Sequence, residues 1–264
     1  MLASVFAKTL SEQRRALIWW AMGIIAACLL TTAFYPSIHE NAASFERLLD
    51  SLPEGLRKAF GEDFASPAGY LQARLFSIFA PVLFLIFAIG AGARAIAGEE
   101  EHKTLDLLLS TPVTRRRVLL DKAFAMLAAT VGLGVVLAVA IAVSGPPFEI
   151  AVSTANIAAA AAACVLLAIA FGAIALAVGA GTGRRSVAIG LTAGIAAGSY
   201  LIDVLALSVD GLGWLQRLSP FFYYRSPDPI AQGLDPADAA ILASIALVAT
   251  GIAVIAFDRR DLAA

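Results

Sequence analysis

Six long apolar runs divide this chain and constrain its fold more than any other feature. A helix needs about 20 residues to cross a hydrocarbon core about 30 Å thick, and only helices and closed barrels satisfy their backbone hydrogen bonds in lipid. The runs are Leu17–Tyr35, Leu75–Ala93, Ala123–Ser144, one helix within Ile150–Gly183 that begins after Ser153 or Thr154, Ser186–Val209 and Ala239–Phe257. The sequence therefore predicts an all-α membrane protein, with six transmembrane helices forming a single domain over residues 1–264.

Composition supports a membrane location. Of the 264 residues, 60% are hydrophobic and the mean hydropathy is +0.83, whereas soluble domains contain about 45–50% apolar residues. The net charge of −1 does not favour a nucleic-acid partner. The cysteines, Cys28 and Cys164, lie inside apolar runs and predict neither a disulfide framework nor a metal site.

The positions of Lys and Arg predict the orientation. Thirteen of these residues fall on one side of the six spans and six on the other. By the positive-inside rule, the richer side is cytoplasmic and includes both termini. The cytoplasmic loop then covers residues 94–122, while residues 36–74 and 210–238 lie outside. Because arginine, alanine and glycine are abundant, a bacterial plasma (inner) membrane is expected.

The two outer segments differ in pattern. Residues 36–74 carry apolar residues at helical spacing, which predicts two amphipathic helices, the second beginning at Pro53. Residues 210–238 contain several prolines and the aromatic run Phe221–Tyr224. This run is typical either of a broken, aromatic cap beyond the fifth span or of an ordinary aromatic belt at the membrane interface.

The cytoplasmic loop concentrates charge in an otherwise apolar chain. Strong helix formers occupy Glu99–Ser110, with Leu105, Leu108 and Leu109 at helical spacing. The pattern predicts a short helix with one apolar edge, whose first turn holds Glu99, Glu100 and Glu101, where the helix dipole favours acids. Such a helix is either part of a solvated loop or an element that docks into a groove on another protein.

A second helix is predicted after Pro112. Pro112 ends the first helix, and Thr114 can cap the next one, which continues into the third span. That helix opens with Arg115, Arg116 and Arg117, a charge that its dipole disfavours. Anionic headgroups of the inner leaflet can reverse the preference, because each basic residue near them gains about 1 kcal/mol.

The stretch "AIAGEEEHKTLDLLLSTPVTRRRVLLDK", Ala95 to Lys122, resembles the cytoplasmic loop of type 2 ATP-binding cassette (ABC) permeases, the six-span subunits of many bacterial exporters. The basic segment before the first span, "SPAGYL" at Ser66–Leu71 and "LSPFFYYRSPDPI" before the sixth span fit the same family. The resemblance covers essentially the whole chain.

This resemblance implies a type 2 ABC exporter permease fold and a coupling role for the loop. The docking face on a separate ATPase subunit would then comprise Glu99, Glu100, Glu101, Thr104, Leu105 and Leu108. Residues 1–16 would form a cytoplasmic interfacial helix, with Arg14 and Arg15 at the inner leaflet. Two permeases, identical or similar, would pair with two ATPases that bind ATP and magnesium, and the complex would export an amphipathic or apolar small molecule or peptide, such as a drug, an antibiotic or a lipid.

The chain itself shows no catalytic pattern. It has no G-x-x-x-x-G-K-[ST] loop for nucleotide phosphates, and its two histidines, His39 and His102, cannot form an H-E-x-x-H zinc site. The sequence therefore predicts no enzyme, no resident cofactor and no metal.

Two other functions remain open. An ion- or proton-coupled secondary transporter would use ionisable residues at membrane depth. Asp203, near the outer end of the fifth span, is either a hydrated acid or part of a substrate path together with Ser199 and Ser77. A membrane anchor or scaffold subunit without transport is the other alternative.

Overall fold

The computed structural model describes residues 5–40, 66–104, 113–208 and 213–260, which are almost entirely helical. In chain order the helices are α1 (Val5–Glu40), α2 (Pro67–Glu101), α3 (Arg115–Ser144), α4 (Thr154–Thr182), α5 (Arg185–Ser208), α6 (Gly213–Gln216), α7 (Pro220–Arg225), α8 (Pro229–Gln232) and α9 (Pro236–Arg259). In the described part, six of them, α1 to α5 and α9, are long and apolar enough to cross a membrane. The predicted six-span helical fold is confirmed.

Helix α4 lies at the centre of the bundle, and 72% of its most apolar stretch is buried, against 17% for α1. It packs against α2, α3, α5 and α9. Its six consecutive alanines, Ala158–Ala163, and its glycines let neighbouring backbones approach closely. The helix begins at Thr154 as predicted, and the hydroxyl of Ser153 caps it by accepting a hydrogen bond from the Asn156 N–H at 3.1 Å.

The contact between α2 and α4 requires glycine. A Cβ atom on Gly92 would lie 2.1 Å from the carbonyl oxygen of Gly172, which is backbone and cannot move aside as a side chain can. We expect Gly92→Ala to lower the thermal unfolding temperature in detergent, because overpacking costs about 1–3 kcal/mol. Gly132→Ala is the control, since a Cβ there meets no atom within 4 Å, and it should leave the temperature unchanged or slightly higher. Equal unfolding temperatures for the two variants would contradict this account.

The first helix differs from the prediction. Residues 5–16 form the first turns of α1, continuous with the span, and not a separate interfacial helix. The physical reason is that neither glycine nor proline occurs between Val5 and Met22, so no residue interrupts the helix. Arg14 and Arg15 are exposed on α1, and their contact with the inner leaflet stays a prediction.

The cytoplasmic end of α2 also differs from the prediction. Glu99, Glu100 and Glu101 form the last turn of α2 and do not start a new helix. Helix formers on both sides of Gly98 carry α2 past the predicted end of the span, because the cost of one glycine, about 1 kcal/mol relative to alanine, does not end the helix. The turn closes at Lys103, which adopts a left-handed φ of 56°, with its N–H donating to the Glu100 carbonyl at 3.0 Å.

Beyond this turn, the predicted Leu105, Leu108, Leu109 and Pro112 lie outside the described residues. The predicted cap of α3 is confirmed. The hydroxyl of Thr114 accepts a hydrogen bond from the Arg117 N–H at 3.4 Å.

On the outer side, three prolines begin helices. Pro220, Pro229 and Pro236 each occupy the first turn of α7, α8 and α9, where a missing N–H leaves no hydrogen bond unmade. Residues 213–235, the described part before α9, therefore form a broken segment, but one that contains short helices. The two amphipathic helices predicted around Pro53 fall on residues 41–65, which lie outside the described ranges.

Candidate functional site

Three carboxylates lie at the cytoplasmic end of α2, where the helix dipole disfavours negative charge. Each one is compensated by a partner from another part of the chain. Glu99 pairs with the Lys122 ammonium of α3 at 2.5 Å, and Lys122 is only 5% exposed. Glu99 also accepts a hydrogen bond from the Thr104 hydroxyl, which holds the turn after α2 in place. The pair thus joins both ends of the cytoplasmic loop.

Glu100 and Glu101 extend these contacts to three further helices. Glu100 pairs with the guanidinium of Arg260, the residue that follows α9. Arg260 Nη1 also donates to the Ala180 carbonyl, 3.1 Å away in the last turn of α4. Glu101 accepts a hydrogen bond from the Arg185 N–H at the start of α5, 3.1 Å away, where the helix dipole favours an acid.

The arginines that open α3 complete the arrangement. Arg116 pairs with Asp258 in the last turn of α9, and Arg115 Nη1 donates to the Arg260 carbonyl at 3.0 Å. We call these residues the cytoplasmic charge cluster: Glu99, Glu100, Glu101, Arg115, Arg116, Lys122, Asp258 and Arg260. It links the cytoplasmic ends of α2, α3, α4, α5 and α9.

A glycine makes room for the cluster. Gly183 ends α4 with a φ of 67°, a backbone conformation that favours glycine. A Cβ on this residue would lie 2.1 Å from Arg260 Nη2 and 2.6 Å from Glu100 Oε2. The pairing of Glu100 with Arg260 is therefore compatible only with glycine at position 183 in this arrangement.

The predicted loop residues differ in what they contact. The carboxylates Glu99, Glu100 and Glu101 all contact other parts of the same chain. Leu105 and Leu108 lie outside the described residues, so their docking role is not tested. Arg117 is exposed at the start of α3, and an inner-leaflet role for it and its two neighbours stays a prediction.

At the outer end of α5, the hydrated-acid interpretation of Asp203 is wrong. Its side chain is 0% exposed and pairs with the guanidinium of Arg225 in α7. Nearby, the Ser219 hydroxyl donates to the Ser199 carbonyl at 2.8 Å. Asp203 and the Ser199 backbone thus attach α5 to the broken outer segment.

Aromatic rings reinforce this attachment. Phe221 and Tyr224 are buried, and the Tyr224 hydroxyl donates to the Phe76 carbonyl of α2 at 2.6 Å. Phe221 packs against Tyr200 of α5 and Phe171 of α4 at ring-centroid distances of 5.4 and 5.9 Å. At least these two of the four aromatic residues pack between helices, as a cap would, and do not form an interfacial belt.

A cavity of about 620 Å³ lies between α2 and α5. Its lining is mainly apolar and includes Trp20 of α1 and Phe221 of α7. Of the three predicted path residues, Ser77 lines this cavity, whereas Asp203 and Ser199 do not belong to its lining. Arg94 and Arg185, at its cytoplasmic end, are also lining residues, although both lie just outside the predicted spans Leu75–Ala93 and Ser186–Val209. The helix-forming run from Ala93 to Ala97 is the signal that would have placed Arg94 on α2.

The six spans and the broken outer segment match the features that the resemblance to type 2 ABC permeases implies. The family model described as ABC-2 family transporter protein matches residues 3–262. A comparison with curated proteins gives no match. Because the family model covers nearly the whole chain, this protein belongs to the ABC-2 transporter family and is a multi-pass membrane permease subunit, not the ATPase, of an ATP-binding cassette transporter.

Proposed function

We propose that this chain is the membrane subunit of a bacterial inner-membrane exporter that is driven by a separate ATPase. The observation that carries the proposal is the cytoplasmic charge cluster. It ties both ends of the loop at residues 94–122 to α4, α5 and α9. A displacement of the loop is therefore transmitted to five of the six spanning helices, which is the property that a coupling element needs.

The roles of the loop residues follow from their contacts. Glu99, Glu100 and Glu101 anchor the loop within the chain, so the apolar Leu105 and Leu108, next to Thr104, are the better candidates for direct contact with the ATPase. ATP and magnesium bind to that partner. When two ATPases close on ATP, they shift the equilibrium between two permease conformations only if they bind those conformations with different affinity.

A second permease copy is part of the proposal. Gly190, Gly194 and Gly198 recur every four residues on α5, and a Cβ at any of them would meet no atom within 4 Å. This face points away from α4, and small residues at this spacing allow close approach of two membrane helices. The exposed Arg14, Arg15 and Arg117 face the inner leaflet in this arrangement.

Co-purification tests the proposal. The chain, tagged and co-expressed with the ATPase encoded beside its gene, should retain that ATPase in detergent, with a complex mass that fits two copies of each subunit. The double variant Leu105→Asp with Leu108→Asp should lose the ATPase and keep its own unfolding temperature.

Leu218→Asp is the matched control, because Leu218 is exposed on the outer side and the variant should retain the ATPase. Loss of the ATPase from the unmodified chain, or equal retention by both variants, would refute the assignment of the loop.

A further inference from the structure

The cavity between α2 and α5 is charged at one end only. Its lining includes Arg94 and Arg185, and the other lining residues that the structure describes carry no charge. The hydroxyl groups in its lining belong to Ser77 and Tyr200. The Ser77 hydroxyl donates to the Gln72 carbonyl at 2.8 Å. The cavity is therefore apolar along its length and positive at the cytoplasmic end.

Both guanidinium groups belong to the cavity. Arg94 Nη2 lies 4.0 Å from the position of a Cβ on Gly90, so the side chain folds back along α2 toward the membrane interior. Arg185 Nε is buried and has no hydrogen-bond partner. Both residues line the same end of the cavity, so their positive charges add there. Among the described residues, neither guanidinium forms an ion pair.

Arg94 is exposed and Arg185 is partly buried, so the cost of an unpaired charge falls mainly on the buried Arg185 Nε, and an anion at this end of the cavity would offset it. Guanidinium groups match phosphate and carboxylate oxygens with two parallel hydrogen bonds. The cavity extends from Arg185 to Tyr200, roughly 22 Å along α5 at about 1.5 Å per residue, which covers most of a hydrocarbon core of about 30 Å. An anionic headgroup at the arginines would therefore place an alkyl chain along the apolar walls.

The cavity is open at its side. Ile78, Val82 and Ile86 on α2 and Ala193 and Ala197 on α5 are lining residues that are also exposed. A molecule can thus enter laterally between α2 and α5. Ala193 and Ala197 share the α5 face of Gly190 and Gly194, so a second permease copy on that face would border the opening. The volume falls in the range of about 300–1,000 Å³ that is usual for ligands of drug size, which favours one alkyl chain over two.

We infer that this cavity binds a single-chain amphiphile with a phosphate or carboxylate headgroup, held by Arg94 and Arg185. The inference rests on the proposed export function and names its substrate class. Binding does not require the ATPase, so it is measured on the permease alone.

Native mass spectrometry of the full chain in a neutral detergent tests the inference. Dodecyl phosphate is the probe, and dodecyltrimethylammonium carries the same tail with the opposite charge. We expect saturable binding of the phosphate only. Arg94→Gln and Arg185→Gln should each weaken it about tenfold or more, because each removes a charge-assisted hydrogen-bonding group.

Arg184→Gln is the matched control, because Arg184 neighbours Arg185 and is exposed but does not line the cavity; it should bind like the unmodified chain. Arg94→Lys should recover part of the affinity lost in Arg94→Gln. Ala197→Phe should weaken binding without changing charge, by filling the cavity. The unfolding temperature of each variant reports whether it is folded.

Several results would overturn the inference. These are equal weakening by Arg184→Gln, equal binding of the cationic amphiphile, or no saturable binding of dodecyl phosphate to the folded chain. Displacement of dodecyl phosphate by phosphatidylglycerol that depends on Arg94 and Arg185 would identify a membrane lipid as the occupant, and the single-chain assignment would be wrong. Failure of the ATPase to co-purify would refute the export proposal but would leave these binding results unchanged.

Discussion

Glu100→Arg is expected to uncouple the ATPase from the permease. Glu100 pairs with Arg260, and both side chains are largely buried, at 30% and 19% exposed. The substitution places two guanidinium groups against each other beside Gly183, so α2 loses its attachment to α9 and α4. We expect the partner ATPase to remain bound, while its hydrolysis rate in the reconstituted complex falls to that of the isolated ATPase.

The charge swap separates this effect from misfolding. Glu100→Arg combined with Arg260→Glu restores an attractive pair, although the bond from Arg260 to the Ala180 carbonyl is lost. We expect partial recovery of the stimulated hydrolysis rate, with an interaction energy of about 0.5–3 kcal/mol in a double-mutant cycle of unfolding.

Glu12→Arg is the control, because its pair with Lys8 on α1 is exposed on both sides and should matter little. If the charge swap recovers neither the hydrolysis rate nor the stability, the pair of Glu100 and Arg260 does not couple the ATPase to the permease.

The sequence predicts the membrane spans well because lipid penalises unpaired backbone groups over a fixed thickness. Apolar length alone therefore locates six helices, and capping chemistry places the starts of α3 and α4 at Thr114 and Ser153. The sequence does not predict where a helix ends once it leaves the membrane. No thickness limits α1 toward Val5 or α2 toward Glu101. The start of α1 contains neither glycine nor proline, and Gly98 alone does not end α2.

The contacts between helices depend on distant residues and were not visible in the sequence. The acids of the loop resemble a helix start, because acids favour the first turn of a helix. In the structure the same carboxylates close α2, since Lys122, Arg260 and the start of α5 supply positive charge from three other places in the chain. Arg94 and Arg185, 91 positions apart in sequence, likewise meet at one cavity only through the packing of α2 beside α5.

The largest loss of stability is expected at the outer end of α5. Asp203 is fully buried, and among the described residues it forms its ion pair with Arg225, whose side chain is 31% exposed. Arg225→Met leaves that carboxylate buried without a counter-charge, which costs about 3–5 kcal/mol. The unfolding temperature in detergent should fall by several degrees. Arg217→Met, an exposed arginine of the same segment, is the control and should leave it unchanged.

A second variant tests whether the unpaired charge is the cause. Asp203→Leu combined with Arg225→Met removes both charges, and replacing a buried ion pair by apolar side chains of similar volume is often neutral. The double variant should therefore be more stable than Arg225→Met alone. If instead the two losses add, the destabilisation comes from lost packing around α7, and the ion pair does not hold α5 to the outer segment.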